Sequence, residues 1–479
     1  MSAFDTILRN QHFINGQWKT GKGNKITVLN KFSGEIISSF NYADEDLMEE
    51  AIAAASEAFL NYRNVSAGKR KDLLKQIGRG LEKRFDEFVS LIVAEAGKPV
   101  DYARIEVERA LQTINAAAEE ATRMGGELVP MDFSGGEGKT AFTKRFPVGP
   151  VAAISPFNFP LNLAMHKIAP ALASGCTIVL KPPHQSPLTC LAFGKIIEEA
   201  GVPAGVVNIL LSDIDVAEKL VKDERMKLLS FTGSDKVGWH LKNIAGKKKV
   251  LLELGGNAAI LIDETVDLKK ITPVIVNGTY NYAGQVCIST QRIYVLEYVF
   301  DELKNLLITE IKKLKSGDPS EAGIVNGPII SPEHVNRIES WIDEAVNQGA
   351  EILTGGKVLP GKNNLFAPTL LTNTNDEMKI ITEEAFGPVA SIESVKSFNE
   401  GLDRINNSKF GLQAGIFTNN ITRMKHAFNV LEVGAVIMNN VPAFRIDTMP
   451  YGGIKASGLG REGVKYAMED MTEPKLIIF

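Results

Sequence analysis

The stretch Val151-Ala-Ala-Ile-Ser-Pro-Phe-Asn-Phe-Pro160 decides the fold, because it opens a run in which short apolar strands alternate with amphipathic helices. Val151–Ser155 reads as a strand and Leu161–Ala173 as a helix, and Thr177–Lys181, Leu188–Ala200 and Val206–Leu210 continue the pattern. A helix over Val216–Lys222, a strand over Lys227–Phe231 and a helix over Lys236–Ala245 complete it. Such alternation builds an α/β, doubly wound parallel sheet, whose functional groups lie beyond the carboxyl ends of its strands. Those ends carry Asn158, Lys181 and the turn Thr232-Gly-Ser234, all suited to a nucleotide. Thr232-Gly-Ser234 also opens a helix, whose first amides can hold a phosphate. The glycine fingerprint GxGxxG is missing, so these residues alone leave a dinucleotide site open.

Upstream, Phe13-Ile-Asn-Gly-Gln-Trp-Lys19 reads as a hairpin turning at Asn15-Gly16. Asp44 or Asp46 caps a helix through Leu60, Ser66 caps another through about Gly80, and Val100–Met124 forms a long helix ended by Gly125-Gly126. Between Glu127 and Pro147 the residues alternate around Ser134-Gly-Gly-Glu-Gly138, which predicts two exposed strands joined by a flexible turn. A second α/β block runs from Leu254 to about Val436, and Lys475-Leu-Ile-Ile-Phe479 reads as a strand. A hairpin standing apart from a helical neighbourhood needs covering, which points to a partner subunit.

At 479 residues the chain exceeds one simple core and suggests roughly two or three domains. Its 44% apolar and 23% charged residues are ordinary for a globular protein, and a formal charge of −4 offers no electrostatic case for nucleic acid or an anionic membrane. No apolar run approaches the roughly 20 residues of a membrane span. Three cysteines make no disulfide framework, and Met1-Ser-Ala-Phe-Asp5 leads into no apolar targeting segment, so a reduced, cytoplasmic protein is expected. Six histidines without paired spacing argue against a zinc site, and no metal is expected.

Tyr282-Ala-Gly-Gln-Val-Cys-Ile-Ser-Thr-Gln291 holds the cysteine whose surroundings suit chemistry. A nucleophilic Cys287 needs an exposed sulfur on a well-held turn, an electropositive surround and donors for a developing alkoxide. Ala283 and Gly284 permit such a turn, although a lone cysteine is also an ordinary core residue. Cys176 and Cys190 fall inside apolar stretches and read as core. Asn158 lies between Pro156 and Pro160, which fix the backbone so that its amide can donate to an oxyanion. Glu253, in Leu252-Glu-Leu-Gly-Gly256, is a carboxylate among apolar neighbours, where burial raises its pKa toward the range of a general base. Glu384 and Phe386 pair a carboxylate with an aromatic face in Glu383-Glu-Ala-Phe-Gly-Pro388. Taken singly, each of these is also a common turn, surface or core residue.

Taken together, the stretches Ser155-Pro-Phe-Asn-Phe-Pro160, Val179-Leu-Lys-Pro182, Phe231-Thr-Gly-Ser234, Leu252-Glu-Leu-Gly-Gly-Asn257, Gly284-Gln-Val-Cys287, Glu384-Ala-Phe-Gly-Pro388 and Pro450-Tyr-Gly-Gly-Ile-Lys-Ala-Ser-Gly458 resemble the aldehyde dehydrogenase superfamily, in the family's order and along nearly the whole chain. The resemblance implies a Rossmann-like parallel-sheet cofactor domain (1–126 and 148–252), a second α/β catalytic domain (253–453) and a β oligomerisation arm (127–147 and 454–479). It implies a homodimer or homotetramer acting on a small-molecule aldehyde with NAD or NADP. Cys287 would attack the aldehyde, the Asn158 amide and the Cys287 backbone N–H would hold the oxyanion, and Glu253 would activate water against the thioester. Lys167 matches a lysine near the nicotinamide ribose, Lys181 and Glu384 match ribose-binding residues, and Ser234 matches a diphosphate contact. The same likeness assigns cofactor contacts to Ser155, Pro156, Phe157, Phe231, Gly233, Val237, Leu254 and Phe386. Relatives that pass the acyl group to coenzyme A lack a glutamate at this position, so Glu253 favours hydrolysis. A coenzyme A-acylating enzyme and an inactive dinucleotide-binding protein are the competing readings.

Departures from the family pattern bear on specificity. Where NAD-preferring members carry a glutamate three residues after the lysine of the Lys-Pro motif, this chain has His184, which removes a repulsion and adds a donor for a 2′-phosphate, so NADP is expected to be tolerated. The glycine often found after the third strand is absent from Asn208-Ile-Leu-Leu-Ser-Asp213. Arg445 lies in the loop that borders the family's substrate mouth, and Arg123 ends the long helix read as approaching the same funnel; both suit an anion. Such arginines resemble those of lactaldehyde and non-phosphorylating glyceraldehyde-3-phosphate dehydrogenases. The phosphate-binding branch, however, carries an arginine and a tyrosine where this chain has Val286 and Phe159. A small hydroxylated or anionic aldehyde is therefore expected, with Phe159 among the substrate contacts.

Overall fold

The alternation that begins at Val151 folds into a parallel sheet, in the computed structural model of residues 4, 6–8, 10–361 and 364–479. Val207–Ile209, Ile178–Lys181, Val151–Ile154, Leu228–Thr232 and Lys249–Glu253 pair in parallel in that order. Successive side chains of a strand point to opposite faces. Accordingly Val151, Ala153, Ile178 and Leu180 pack into one core with helices Asn162–Ser174 and Leu188–Glu199, whereas Ala152, Ile154 and Val179 pack into another with Ile214–Lys222 and Asp235–Ile244. Being covered on both faces explains why Val151–Ile154 is wholly apolar. The amino-terminal hairpin, His12–Ile14 with Gln17–Lys19, joins at Val207–Ile209, and its turn has positive φ at Asn15 and Gly16 as the Asn-Gly pair predicts. Lys249–Glu253 is a strand the sequence reading passed over, and it delivers Glu253 to the sheet's carboxyl end. Of the opening five residues read for targeting, Met1, Ser2, Ala3 and Asp5 lie outside the described residues.

A second sheet orders Glu351–Thr354, Thr369–Thr372, Val389–Val395, Thr290–Leu296, Ala258–Ile262, Gln413–Phe417 and Ala435–Met438, parallel apart from its first pair. A three-stranded ribbon stands apart, with Ala141–Pro147 between Leu128–Val129 and Thr472–Ile478. Of the stretch 454–479, only Thr472–Ile478 joins this ribbon; Gly458–Leu459 extends the first sheet beside Leu252 and Glu253. Asp44 caps helix Glu45–Tyr62 and Ser66 caps Ala67–Lys83, while the long helix Val100–Ala121 stops short of Met124. Among the described residues no helix is long and apolar enough to cross a membrane, and no group of His, Cys, Asp and Glu is placed to hold a metal ion.

Candidate active site

Helix Leu268–Tyr280 is followed by a tight left-handed turn, with φ of 49° at Tyr282, 53° at Ala283 and 67° at Gly284. Each non-glycine residue held there costs about 1–2 kcal/mol, so the turn needs anchors. Tyr282 is buried and donates its hydroxyl to the Ala96 carbonyl at 2.9 Å. Buried Gln285 accepts from the Ile330 N–H at 2.9 Å and donates to the Pro328 carbonyl at 3.2 Å. A Cβ on Gly284 would lie 2.1 Å from the Gly387 carbonyl, which leaves no room for a side chain. The consequence is that Cys287 is partly exposed, while Cys176 and Cys190 are buried.

The Asn158 amide donates to the Gln285 carbonyl at 3.0 Å, two residues before Cys287, and retains a second N–H. A single buried ion pair, Lys98 with Glu106, ties the two loops together. The Lys98 ammonium lies 3.6 Å above the Phe159 ring and 4.7 Å above the Tyr282 ring. Glu106 accepts from the backbone N–H groups of Leu161 and Asn162, at the start of the helix that follows Phe159. Neither residue had been singled out, although Glu106, Arg109 and Thr113 share one face of the long helix with its apolar stripe, a signal at helical spacing.

Around the thiol the expected electropositive surround is only partly present. Burial pushes the Cys287 thiol up to about 12, while a hydrogen bond with the Tyr451 hydroxyl, 2.9 Å from Sγ, and the nearby Arg445 pull it down. Glu253 is buried and its Oε2 has no partner, and burial together with the charge of Glu462 raises its pKa well above the carboxylate range. Burial also works against the charge of Glu462, but Lys167, His166 and Arg445 outweigh it and keep that carboxylate ionised. Lys167 bonds Thr232 at 2.8 Å, Ser230 at 3.1 Å and Glu462 at 3.3 Å. Lys167 therefore lies beneath the end of strand Leu228–Thr232, behind Glu253.

Cys287 lines two cavities. The larger, about 740 Å³, runs over the carboxyl ends of the first sheet and is lined by Ser155, Pro156, Phe157, Lys181, His184, Phe231, Gly233, Ser234, Val237, Leu254, Glu384 and Phe386, together with Asn158 and Glu253. Every residue expected to contact the cofactor is in this wall except Lys167, which is buried and lines neither cavity. Phe157 and Phe386 meet edge to face at 5.7 Å. Glu384 accepts from the Gly256 N–H at 2.8 Å, and burial raises its carboxyl to about 8. Burial lowers the Lys181 ammonium to about 8. An ammonium and a carboxyl for hydroxyl groups, Ser234 at the start of helix Asp235–Ile244, and apolar walls for flat rings fit a dinucleotide.

The smaller cavity, about 360 Å³, is lined by Phe159, Lys98, Arg109, Arg445, Tyr451 and Val286, among others. The Arg445 side chain is 6% exposed, lies 3.6 Å over the Tyr451 ring and bonds Glu462 at 3.1 Å. Arg123 is not brought here: it faces solvent, pairs with Glu120 at 3.0 Å and borders a separate hollow near Arg145 and Lys465. About 14 residues, roughly 21 Å of helix axis at about 1.5 Å per residue, separate Arg109 from Arg123, too far for both to reach one funnel, and Arg109, missed in the sequence, takes the place expected of Arg123. Asp447 fixes Arg109 through two bonds of 2.9 and 2.7 Å and also accepts from His166 at 2.8 Å and Asn162 at 3.1 Å.

Comparison with known proteins matches residues 18–477 to the aldehyde dehydrogenase family. A 3-sulfolactaldehyde dehydrogenase of Priestia aryabhattai is 41% identical over 100% of this chain and 99% of its own length. A lactaldehyde dehydrogenase of Methanococcus aeolicus is 40% identical over 97% and 99%. Among solved structures, aldehyde dehydrogenase 21 of Physcomitrella patens, in complex with the reaction product succinate, superposes with a TM-score of 0.95 at 41% identity, over 98% of each chain. A glyceraldehyde-3-phosphate dehydrogenase of Methanocaldococcus jannaschii, complexed with NADP, gives 0.90 at 38% identity over 95% of this chain and 98% of its own. A betaine aldehyde dehydrogenase of Staphylococcus aureus, in complex with NAD+, gives 0.93 at 32% over 98% and 94%. Both cofactors are thus represented among these relatives. Coverage this complete at such identities leaves one assignment: the chain belongs to the aldehyde dehydrogenase family and is an oxidoreductase that converts an aldehyde to its acid with NAD(P).

Proposed function

We propose that Cys287 is the nucleophile and that the aldehyde is small and hydroxylated or anionic, of the lactaldehyde, sulfolactaldehyde or semialdehyde type. The observation that carries this reading is the position of Cys287 in the wall of both cavities, one shaped for a dinucleotide and the other rimmed by Lys98, Arg109 and Arg445. The thiolate Sγ bonds to the carbonyl carbon, and the oxyanion accepts from the free Asn158 N–H and the Cys287 backbone N–H. When bound, NAD(P) takes up the hydride. Glu253, as carboxylate, then accepts a proton from water as the water oxygen bonds to the acyl carbon and the C–S bond breaks. Lys167 and ionised Glu462, beside Glu253, stand where that proton can be passed on. Val286 and Phe159 in place of an arginine and a tyrosine weigh against a committed sugar-phosphate enzyme.

Ser155, Pro156, Phe157, Lys181, Phe231, Gly233, Ser234, Val237, Leu254, Glu384 and Phe386 would hold the cofactor, and His184 at the cavity rim would accept NADP as well as NAD. The cofactor and catalytic domains would keep the boundaries given above, and the arm, narrowed at the chain's end to Thr472–Ile478, would join like subunits. The test is formation of reduced cofactor from lactaldehyde, sulfolactaldehyde, succinic semialdehyde, glyceraldehyde 3-phosphate and propanal, with NAD and NADP in parallel. Turnover that vanishes in Cys287→Ala and favours the hydroxylated and anionic members is expected. Turnover retained by Cys287→Ala, or a preference for propanal, overturns the reading.

A further inference from the structure

Tyr451 stands apart from the residues discussed so far because its hydroxyl meets the sulfur itself. Its oxygen lies 2.9 Å from Cys287 Sγ. The ring is buried with Ile288 and Leu412, and Tyr451 and Cys287 both line the smaller cavity. Two backbone bonds with Glu462, from the Tyr451 N–H at 3.0 Å and back from the Glu462 N–H at 2.6 Å, fix the strand segment that carries it. On its outer face the Arg445 guanidinium stacks at 3.6 Å, and Glu462 holds that guanidinium in turn. A side chain locked on three sides, with its only polar atom aimed at the nucleophile, is built to serve that nucleophile.

We propose that Tyr451 is a catalytic hydrogen-bond donor: its phenol O–H donates to Cys287 Sγ, favours the thiolate and keeps the sulfur turned toward the substrate cavity. The proposal rests on Cys287 being the nucleophile. The proton lost from the thiol leaves through the cavity to solvent, and Tyr451 keeps its own. Burial and the neighbouring sulfur raise the phenol well above its ordinary pKa, so it stays a donor across the working range. Of the other groups facing Cys287, Arg445 favours the thiolate, while Glu384 and Glu253 oppose it. Those facing Tyr451 are Cys287, Arg445 and Glu253. Hydrogen bonds to a charged acceptor are the strong ones, so losing this bond should be felt about tenfold in thiolate population.

Tyr451→Phe keeps the ring beneath Arg445 and removes only the hydroxyl. The measurement is the rate of iodoacetamide alkylation at Cys287 as a function of pH, located by mass spectrometry on the full-length enzyme, beside kcat/KM on the best aldehyde. The variant should alkylate about tenfold more slowly near neutral pH, with its profile displaced upward and kcat/KM reduced in step. A variant with Tyr451 replaced by 3,5-difluorotyrosine, a stronger donor, should displace the profile downward and covers the case in which Tyr451→Phe folds poorly. An alkylation profile unchanged in either folded variant, with Cys287→Ala inactive, overturns the role of Tyr451 alone. Turnover surviving in Cys287→Ala overturns the nucleophile reading beneath it.

Discussion

Glu253 and Glu462 divide one negative charge between two buried carboxyls, and the division follows from what each can touch. Glu462 has Lys167 and Arg445, whereas Glu253 is buried with an orphaned oxygen beside the charge of Glu462, so Glu253 holds the proton at rest. In the proposed role of base it must first lose that proton, so hydrolysis of the thioester should rise with pH through its elevated pKa and fall below it. On that proposal Glu253→Gln removes the base but leaves Cys287 as nucleophile. Rapid-mixing kinetics should therefore show a burst of about one reduced cofactor per site, followed by steady turnover reduced by about 100-fold or more. A loss of the burst itself would place Glu253 in the first chemical step instead. At the other end of the large cavity, His184 can be tested by His184→Glu. A carboxylate there repels a 2′-phosphate, so KM for NADP should rise about tenfold or more while KM for NAD holds or falls. Equal changes for both cofactors would mean that His184 does not face the 2′ position.

At the scale of elements, the site depends on short segments whose anchors are remote in sequence. The strand His12–Ile14, next to the sheet's edge strand, is held by a fully buried imidazole, which donates from Nε2 to the Asn41 carbonyl at 3.1 Å and accepts at Nδ1 from the Leu211 N–H at 3.3 Å. Both nitrogens are used only in the neutral ring, and burial lowers its pKa to about 4. Because the folded pKa lies below the unfolded value, the unfolded chain binds the proton more readily. Stability from this group is present above about pH 6.5 and is lost as pH falls through about 4, by about 3 kcal/mol in all. Glu95 and Glu384, raised by burial to about 7 and about 8, act in the opposite sense and gain stability as pH falls. The contribution of His12 is therefore read as a difference: His12→Asn should lose stability at pH 7 but show a shallower decline than wild type in urea titrations between pH 7 and 4. Parallel declines would show that the ring is already protonated in the fold. The contrast with Val151–Ile154 shows what a sequence displays. Strand and helix periods and the Asn-Gly turn were legible because neighbours in sequence carry them, whereas the wall of the large cavity, drawn from stretches between Ser155 and Phe386, was legible only through the family resemblance. Tyr451, Arg109 and the Lys98–Glu106 pair were not, because their meaning comes from partners 50 to 340 positions away, roughly, and because a buried charge is indistinguishable from a solvated one until the helix face is known. Arg123 was misplaced for the same reason.

For the whole molecule, the ribbon at the chain's end is the feature a single copy leaves unsatisfied. Phe142, Leu476, Ile477, Ile478 and Phe479 lie on it, each with at least two fifths of its surface exposed. A contiguous apolar patch at a strand edge marks a surface for association. We therefore expect a dimer or tetramer in sedimentation velocity at micromolar concentration, and expect Phe142→Asp combined with Ile477→Asp to shift it to a smaller species. Assembly should also bear on catalysis. Strand Thr472–Ile478 begins where helix Val464–Asp470 ends, and that helix packs against Asn162–Ser174, which carries His166 and Lys167, and starts beside Glu462. Freeing the ribbon loosens the last anchor of this helix, so the smaller species should lose turnover beyond its loss of folded protein, with KM for the cofactor little changed. A wild-type chain that sediments as a monomer, or a dissociated variant with full kcat, would show that the site is complete within one copy.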